Sequence, residues 1–530
     1  MDTNASFYII STQLFYILMV KGMVDMRKIA LVASIIASLS ILGACSQGNS
    51  KDMKDMDHDK MKMEGMDHSS KDMKDMDHDM MNGHESHSNV VSLNNSTGVN
   101  EIKIPAELKR NKKDEVVYTV RAQQGKTEIF DGVQTNTYGY NGSFLGPMIR
   151  LVKGETVKIR TINELDEDTT FHWHGLEVPA NKDGGPQSIL KPGEEKTLEF
   201  KVNQEAATLW FHPHPHGQAA EQVYNGLAGL VYIEDDHSKS LGLPNDYGKN
   251  DFPLIFQDRT FDEKKQLNYS AAMNTDGTIG DTLLINGTYN PKLTVNKEKV
   301  RLRLLNGSNA RNYTFKLSTG DSFLQIATDG GFLNEPVSLK EMTLTPSERA
   351  EIVVDFSKIQ NVNDLALINE DGSVLLPFVV TDQSGETSMV PKKLNDLSLE
   401  DKEMDLPVTK KVELFGMMDM VTINGKKFDP ERIDFTQKQG VTEVWEIYNK
   451  PDMMGGMIHP FHIHGAQFKI LSRDEKKPPE NEQGWKDSIS VKPDETVKIA
   501  VQFKHKGVYM FHCHILEHED NGMMGQIKVD

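Results

Sequence analysis

Three consecutive residues near the end of the chain, His512-Cys513-His514, constrain its fold more than any other feature. On an extended strand, successive side chains point to opposite faces. Cys513 then faces one way, while His512 and His514 face away together. If all three hold metal, their strand runs between two centres and wires one to the other. His518 and Met523 follow closely. A thiolate with a histidine and a weak methionine is the donor set of an electron-transfer copper site. Zinc prefers several cysteines or a plain His/carboxylate set, so copper is the better match.

At 530 residues the chain exceeds one ordinary core and implies two to four domains. A formal net charge of −19 excludes general nucleic-acid binding, which needs a basic face. Its two cysteines, Cys45 and Cys513, each have a better role than pairing, so no structural disulfide is expected.

The first 45 residues read as a leader. Arg27 and Lys28 precede an apolar run from Ile29 to Ala44, ending in Leu42-Gly43-Ala44-Cys45. These are the charged, apolar and cleavage regions of a signal peptide. A cysteine at the cut resembles a bacterial lipobox. Cys45 is then the lipid-bearing residue that attaches the mature protein to the membrane, on the extracytoplasmic face of the cell envelope. A second apolar patch, Phe7 to Val20, lies upstream, and the simplest account starts translation at Met26.

Residues 46–95 are low-complexity. The string Lys51 to Asp59 recurs as Lys71 to Asp79, and the segment mixes charge with Met and His. It cannot bury a core, so a disordered tether is expected. Its methionines suit Cu(I), and its His and Asp suit Cu(II).

Beyond residue 100 the texture turns to short alternating strands between Gly, Pro and Asn turns, as in Thr156 to Arg160 and Lys196 to Val202. This spacing predicts an all-β chain of Greek-key sandwiches. Polar, turn-rich breaks near Asp235–Asn250 and Gln383–Asp405 divide it into three domains, 100–240, 250–385 and 405–530.

Four strings carry ten of the thirteen histidines after residue 100: His172-Trp173-His174, His212-Pro213-His214, His459 to His464, and His512 to Met523. Each His-x-His puts two imidazoles on one strand face. Two strings lie in the first domain and two in the third, so a shared site must sit between those domains. His216, His237 and His505 belong to no string; His216 suits a hydrogen-bonding role and the other two the surface.

In this order, at the two ends of the chain, the four strings resemble the copper signatures of the three-domain multicopper oxidases, the laccase superfamily. The likeness runs from about residue 115 to the C-terminus and includes Gly280 to Gly287 and Leu344 to Arg349 in the middle domain. In texture the chain is most similar to the bacterial copper-efflux enzymes that oxidise Cu(I), above all at His172 to Gln187, Trp210 to Gly217 and His514 to Met524.

The resemblance implies three consecutive cupredoxin-like domains holding four copper ions. A type 1 copper would take His459, Cys513, His518 and Met523. A type 2 copper would take His172 and His462, and a type 3 pair His174, His212, His214, His464, His512 and His514. Asp183 and Glu519 would supply protons, and Cys513 would pass electrons inward. O2 would be the acceptor and Cu(I) or a small reductant the donor, in a monomer. The efflux-type relatives also imply a substrate-copper seat among Met417, Met418, Asp419, Asp452, Met454 and Met457. This chain lacks their long Met-rich insertion, and Gly455-Gly456-Met457 lengthens the approach to His459. Two other readings stand beside this one: a laccase acting on phenols, aromatic amines or Mn(II)/Fe(II), and a copper-binding or storage lipoprotein.

Overall fold

The computed structural model describes residues 91–111, 117–274, 277–385, 388–397, 406–417, 419–453 and 455–530. The leader with Met26 and Cys45, the tether up to residue 90, Met418 and Met454 lie outside these residues.

Alternation decides the strands. In Thr156–Glu164, Val157 and Ile159 turn inward while their neighbours are part-exposed, the period of two that a half-buried strand requires. Strands of this kind form three β-sandwiches among the described residues. The first packs a four-stranded sheet, ordered Val133–Tyr140, Tyr118–Phe130, Thr156–Glu164, Glu195–Lys201, with a three-stranded one containing Ala207–Phe211. The middle sandwich has sheets of six and seven strands, and the third has two sheets of five.

One pairing signature repeats three times. In each sandwich an opening strand pairs in parallel with a later one: Tyr118–Phe130 with Thr156–Glu164, Asp251–Arg259 with Lys299–Asn306, and Val408–Phe415 with Thr442–Lys450. The opposite sheet repeats the arrangement, for example Phe435–Gln437 with Met524–Val529. The three units thus share one topology, the cupredoxin-like sandwich.

The junction ahead of the first domain differs from the expected boundaries of 95 and 100. Leu93 and Ile102 bury their side chains in the middle core, and Asn100–Glu101 adds in parallel to the edge strand Pro291–Lys297. That edge would otherwise expose unpaired backbone groups, and the added segment covers them.

The middle sandwich joins the first through a strand buried along its whole length, Asp251–Arg259. Its acids are matched by arginines: Asp251 by Arg303 at 2.7 Å and Asp258 by Arg311 at 2.9 Å. Arg303 also binds Thr208 Oγ1 of the first sandwich and Glu351, which Arg301 grips as well. Buried charges are tolerated only when paired in this way.

Candidate metal centre

The strand His459–Ile463 lies between Ser488–Val491 and Gly507–Cys513, with Phe461 opposite Cys513 and His462 opposite His512. Strand parity sorts the last of these. Tyr509, Phe511 and Cys513 enter the core of the third sandwich, while His512 leaves by the other face, as expected. In the first sandwich, the strand Ala207–Phe211 runs into His212. The backbones of His172 and His212 exchange hydrogen bonds of 2.9 and 3.1 Å, aligning the two His-x-His strings.

The two halves then meet ring on ring. His172 stacks on His464 at 3.8 Å between centroids, and His174 on His462 at 3.7 Å, each pair crossing from the first sandwich to the third. All eight histidines of the cluster are buried. Nε2 of His512 lies 3.0 Å from Nε2 of His464 and 3.2 Å from Nε2 of His214. Nδ1 of His174 approaches Nε2 of His212 at 3.4 Å, with His514 edge-on to both rings, at 5.1 Å and 5.2 Å between centroids.

A second group lies inside the third sandwich. Sγ of Cys513 is 3.5 Å from Nδ1 of His459 and 3.7 Å from Nδ1 of His518. Met523 is buried in the same core, and its carbonyl accepts from the Cys513 amide at 3.1 Å. Nδ1 of His512 lies 3.0 Å from the carbonyl of Cys513, a hydrogen bond that shortens the covalent path between the two groups.

Metal fits both groups. Two imidazole nitrogens, each about 2.0 Å from one metal, stand about 3.3 Å apart at a tetrahedral angle. A thiolate and an imidazole on one metal stand about 3.5 Å apart. The observed spacings match, and His172 Nε2, His462 Nε2, His518 Nε2 and both nitrogens of His514 have no partner in the protein. Burial, reinforced by neighbouring imidazoles, pushes His174, His214, His462 and His464 far below the ordinary histidine range. Burial takes His459 to about 4 and His512 to about 3. Neutral imidazoles are what a metal binds. Burial pushes the Cys513 thiol up, so only a soft cation would draw out its thiolate.

Two acids flank the cluster. Oδ2 of Asp183 lies 2.7 Å from Nδ1 of His464 and 3.4 Å from Nδ1 of His172, while its Oδ1 is buried without a partner. The oxygens of Glu519 lie 3.1 Å from Nδ1 of His214 and 3.3 Å from Nδ1 of His512, close but not aligned for hydrogen bonding. Burial, with Asp520 and Glu517 nearby, raises Glu519 well above the usual carboxyl range.

The remaining candidates line the approach to His459. Its ring is hydrogen-bonded to the backbone of Gly416 and feels the charge of Asp452. Asp452 accepts from the Gly456 amide at 3.0 Å, closing the Gly455-Gly456 turn. Met457 packs on the core beside the site, Met417 is part-exposed, and Asp419 faces solvent. Met420 and Met453 are also exposed, at 66% and 104%. His216 stays outside the cluster against Phe428, 5.1 Å between ring centroids.

Two residues at the site were not assigned a site role from the sequence, although Arg349 closes the middle-domain motif Leu344 to Arg349. Asp487 is fully buried, with Oδ1 3.0 Å from Nε2 of His174. Arg349 meets it with both terminal nitrogens, at 2.6 and 2.7 Å. Burial alone would raise the Asp487 carboxyl, but Arg349 outweighs it and holds the group below its ordinary value. An acid just before the largely buried strand Ser488–Val491 was the available clue.

The multicopper oxidase family pattern matches residues 121–238, 250–373 and 401–530. The chain is similar to the multicopper oxidase mco of Staphylococcus haemolyticus, at 55% identity over 85% of this chain and 97% of that one. It is also 35% identical to the cell division protein FtsP of Xenorhabdus nematophila, over 75% of this chain and 86% of that protein. Among solved structures, the laccase of Pediococcus acidilactici Pa5930 superposes with a TM-score of 0.78 at 45% identity, covering 83% of this chain and 95% of its own. With such relatives spanning all three sandwiches, and with donor atoms spaced as a metal requires, this chain belongs to the multicopper oxidases.

Proposed function

We propose that the protein is a cuprous oxidase: it oxidises Cu(I) to Cu(II) one electron at a time and reduces O2 to water. The balance is four Cu(I), one O2 and four protons giving four Cu(II) and two waters. In this reading His459, Cys513, His518 and Met523 hold a type 1 copper, and His172 with His462 a type 2 copper. His174, His212 and His514 hold one member of a type 3 pair, and His214, His464 and His512 the other. Bound copper supplies one-electron acceptance at the first site and electron storage for O2 at the other three.

The protein's own groups do the rest. Cys513 joins the sites through its backbone and through the hydrogen bond from His512 to its carbonyl. Asp183, with Oδ1 unpartnered, is placed to pass protons beside His172 and His464. Glu519, kept protonated by burial, offers another beside His214 and His512. The buried wall of aromatic and histidine rings keeps bulk water from the cluster.

The observation that carries the Cu(I) reading is the exposure of Met420 and Met453 on the two loops flanking His459. Thioethers at the surface are poor packing but good soft ligands, and Asp452 and Asp419 add harder oxygens for Cu(II) as it forms. An envelope location with a lipid on Cys45 agrees with this role. A laccase acting on phenols is the second reading, supported by the likeness to the Pediococcus laccase.

Oxygen uptake by copper-loaded protein decides between them. Rapid uptake with Cu(I), and weak phenol turnover that excess Cu(II) stimulates, is the expected result. Strong phenol oxidation indifferent to added copper would make it a laccase.

A further inference from the structure

Among the described residues, the middle sandwich adds no histidine or cysteine to the two groups, yet one of its side chains reaches the cluster. Arg349, which opens the strand Arg349–Asp355, lays Nη1 on Oδ1 of Asp487 at 2.6 Å and Nη2 on Oδ2 at 2.7 Å. Its Nε donates to the Thr208 carbonyl of the first sandwich at 3.1 Å. One guanidinium therefore ties all three sandwiches at a single point. Ser347 adds a second tie, its Oγ donating to Ser488 Oγ at 2.8 Å.

What Asp487 touches next is the cluster. Its Oδ1 lies 3.0 Å from Nε2 of His174, and its backbone carbonyl 2.7 Å from Nδ1 of His462. A carboxylate gripped by a guanidinium fork acts only as an acceptor, as does a carbonyl. His174 must therefore carry its proton on Nε2, leaving the Nδ1 lone pair free. His462 must carry its proton on Nδ1, leaving Nε2, which has no partner in the protein. These two rings are the stacked pair at 3.7 Å, and each presents the opposite nitrogen to the interior. The other tautomer of either would turn an N–H toward the metal, and a flipped ring a C–H.

We propose that Asp487, clamped by Arg349, is the positioning residue that makes His174 present Nδ1 and His462 present Nε2 to copper, so that the metal-free middle sandwich takes part in assembling the site. This rests on the trinuclear reading above. An ordinary domain clamp offers the contrast. Arg303 also links the middle sandwich to the first, through Thr208 and the Tyr232 ring, but its contacts, which include Asp251 and Glu351 of its own sheet, include no histidine.

The test compares copper-loaded wild type, Arg349→Lys and Arg303→Lys, with the near-isosteric Asp487→Asn as a second variant at the same point. The readouts are the type 2 electron paramagnetic resonance signal, the blue type 1 band and copper loss to a chelator. Arg349→Lys and Asp487→Asn are expected to keep the blue band, shift the type 2 hyperfine pattern and hold trinuclear copper about 10- to 100-fold more weakly. Arg303→Lys is expected to melt earlier with all copper signals unchanged. An unchanged type 2 signal and copper affinity in both site variants overturns the proposal, as does the same loss in Arg303→Lys. If wild type itself shows no type 2 signal, the trinuclear reading fails first.

Discussion

Oδ2 of Asp183 sits 2.7 Å from Nδ1 of His464, although 281 residues separate them in sequence. The acid comes from the short helix Ala180–Asp183 of the first sandwich and the imidazole from the end of a strand of the third. Asp183→Asn keeps the volume and one acceptor oxygen but removes the group that can hold a proton. Turnover is expected to fall by about 10²- to 10⁴-fold with copper content unchanged. Steady-state rates together with metal analysis check this; unaltered turnover at full copper loading would remove Asp183 from proton supply.

Cys513→Ser separates the two centres. A serine hydroxyl is a hard, weak donor, so the blue absorption should vanish and one copper per chain should be lost. His512 stays fixed by its pairing with His462 and Met524, so the other coppers should remain. Visible absorption and copper stoichiometry report the result, and oxidase activity should fall to background.

Gly175 is a hinge point for the same region. Its φ is +86°, and a Cβ there would come within 2.5 Å of Asp487 Oδ2 and 2.8 Å of Arg349 Nη2. The left-handed backbone alone costs about 1–3 kcal/mol for a residue with a side chain, and the clash adds to it. Gly175→Ala should lower the melting temperature by several degrees and loosen copper more than a surface Gly→Ala at Gly193, which has open space around it.

Acid should weaken the middle sandwich on the side where Glu351 accepts from Thr208 of the first. Burial raises Glu351, but Arg301 and Arg303 outweigh it and take its carboxyl down to about 2. A carboxyl with a depressed folded value adds stability above its unfolded value, near 4.5, and loses it as pH falls toward 2. A shift of this size is worth roughly 3 kcal/mol. Denaturation between pH 5 and about 2.5 should therefore show a falling stability whose slope is shallower in Glu351→Gln, a variant that starts lower because two arginines lose their partner.

Replacing Met420 and Met453 together by leucine keeps bulk and removes sulfur. The KM for Cu(I) is expected to rise about tenfold, some 1.4 kcal/mol of binding, with phenol oxidation unaffected. Equal loss on both donors would point to a disturbed type 1 site instead of a lost copper seat.

The histidines and the cysteine that the fold gathers were legible because their spacing carries a local signature. His-x-His on a strand, and His-Cys-His with a histidine five residues beyond the cysteine, mark spacing that ordinary cores do not need. Strand parity at Cys513 followed from the same geometry and holds in the core assignment. Asp487 and Arg349 were not legible: a buried acid or arginine looks like a surface one until its partner, here 138 residues away, is known. The parallel pairing of each opening strand was hidden for the same reason, since alternation fixes which side faces the core but not which neighbour lies alongside. Leu93 fell in the expected tether and Ile102 in the expected first domain, whereas both pack on the middle core, because a short edge segment reads alike whichever sheet it extends.

The stacking of His172 on His464 and His174 on His462 also makes the site conditional on docking. Neither sandwich holds the cluster alone: His172, His174, His212 and His214 come from the first, and His462, His464, His512 and His514 from the third. A first sandwich parted from the third keeps half of the rings and offers copper no enclosed seat. The seam between the two sandwiches is therefore the wall of the site, and whatever pries it open exposes the cluster to solvent.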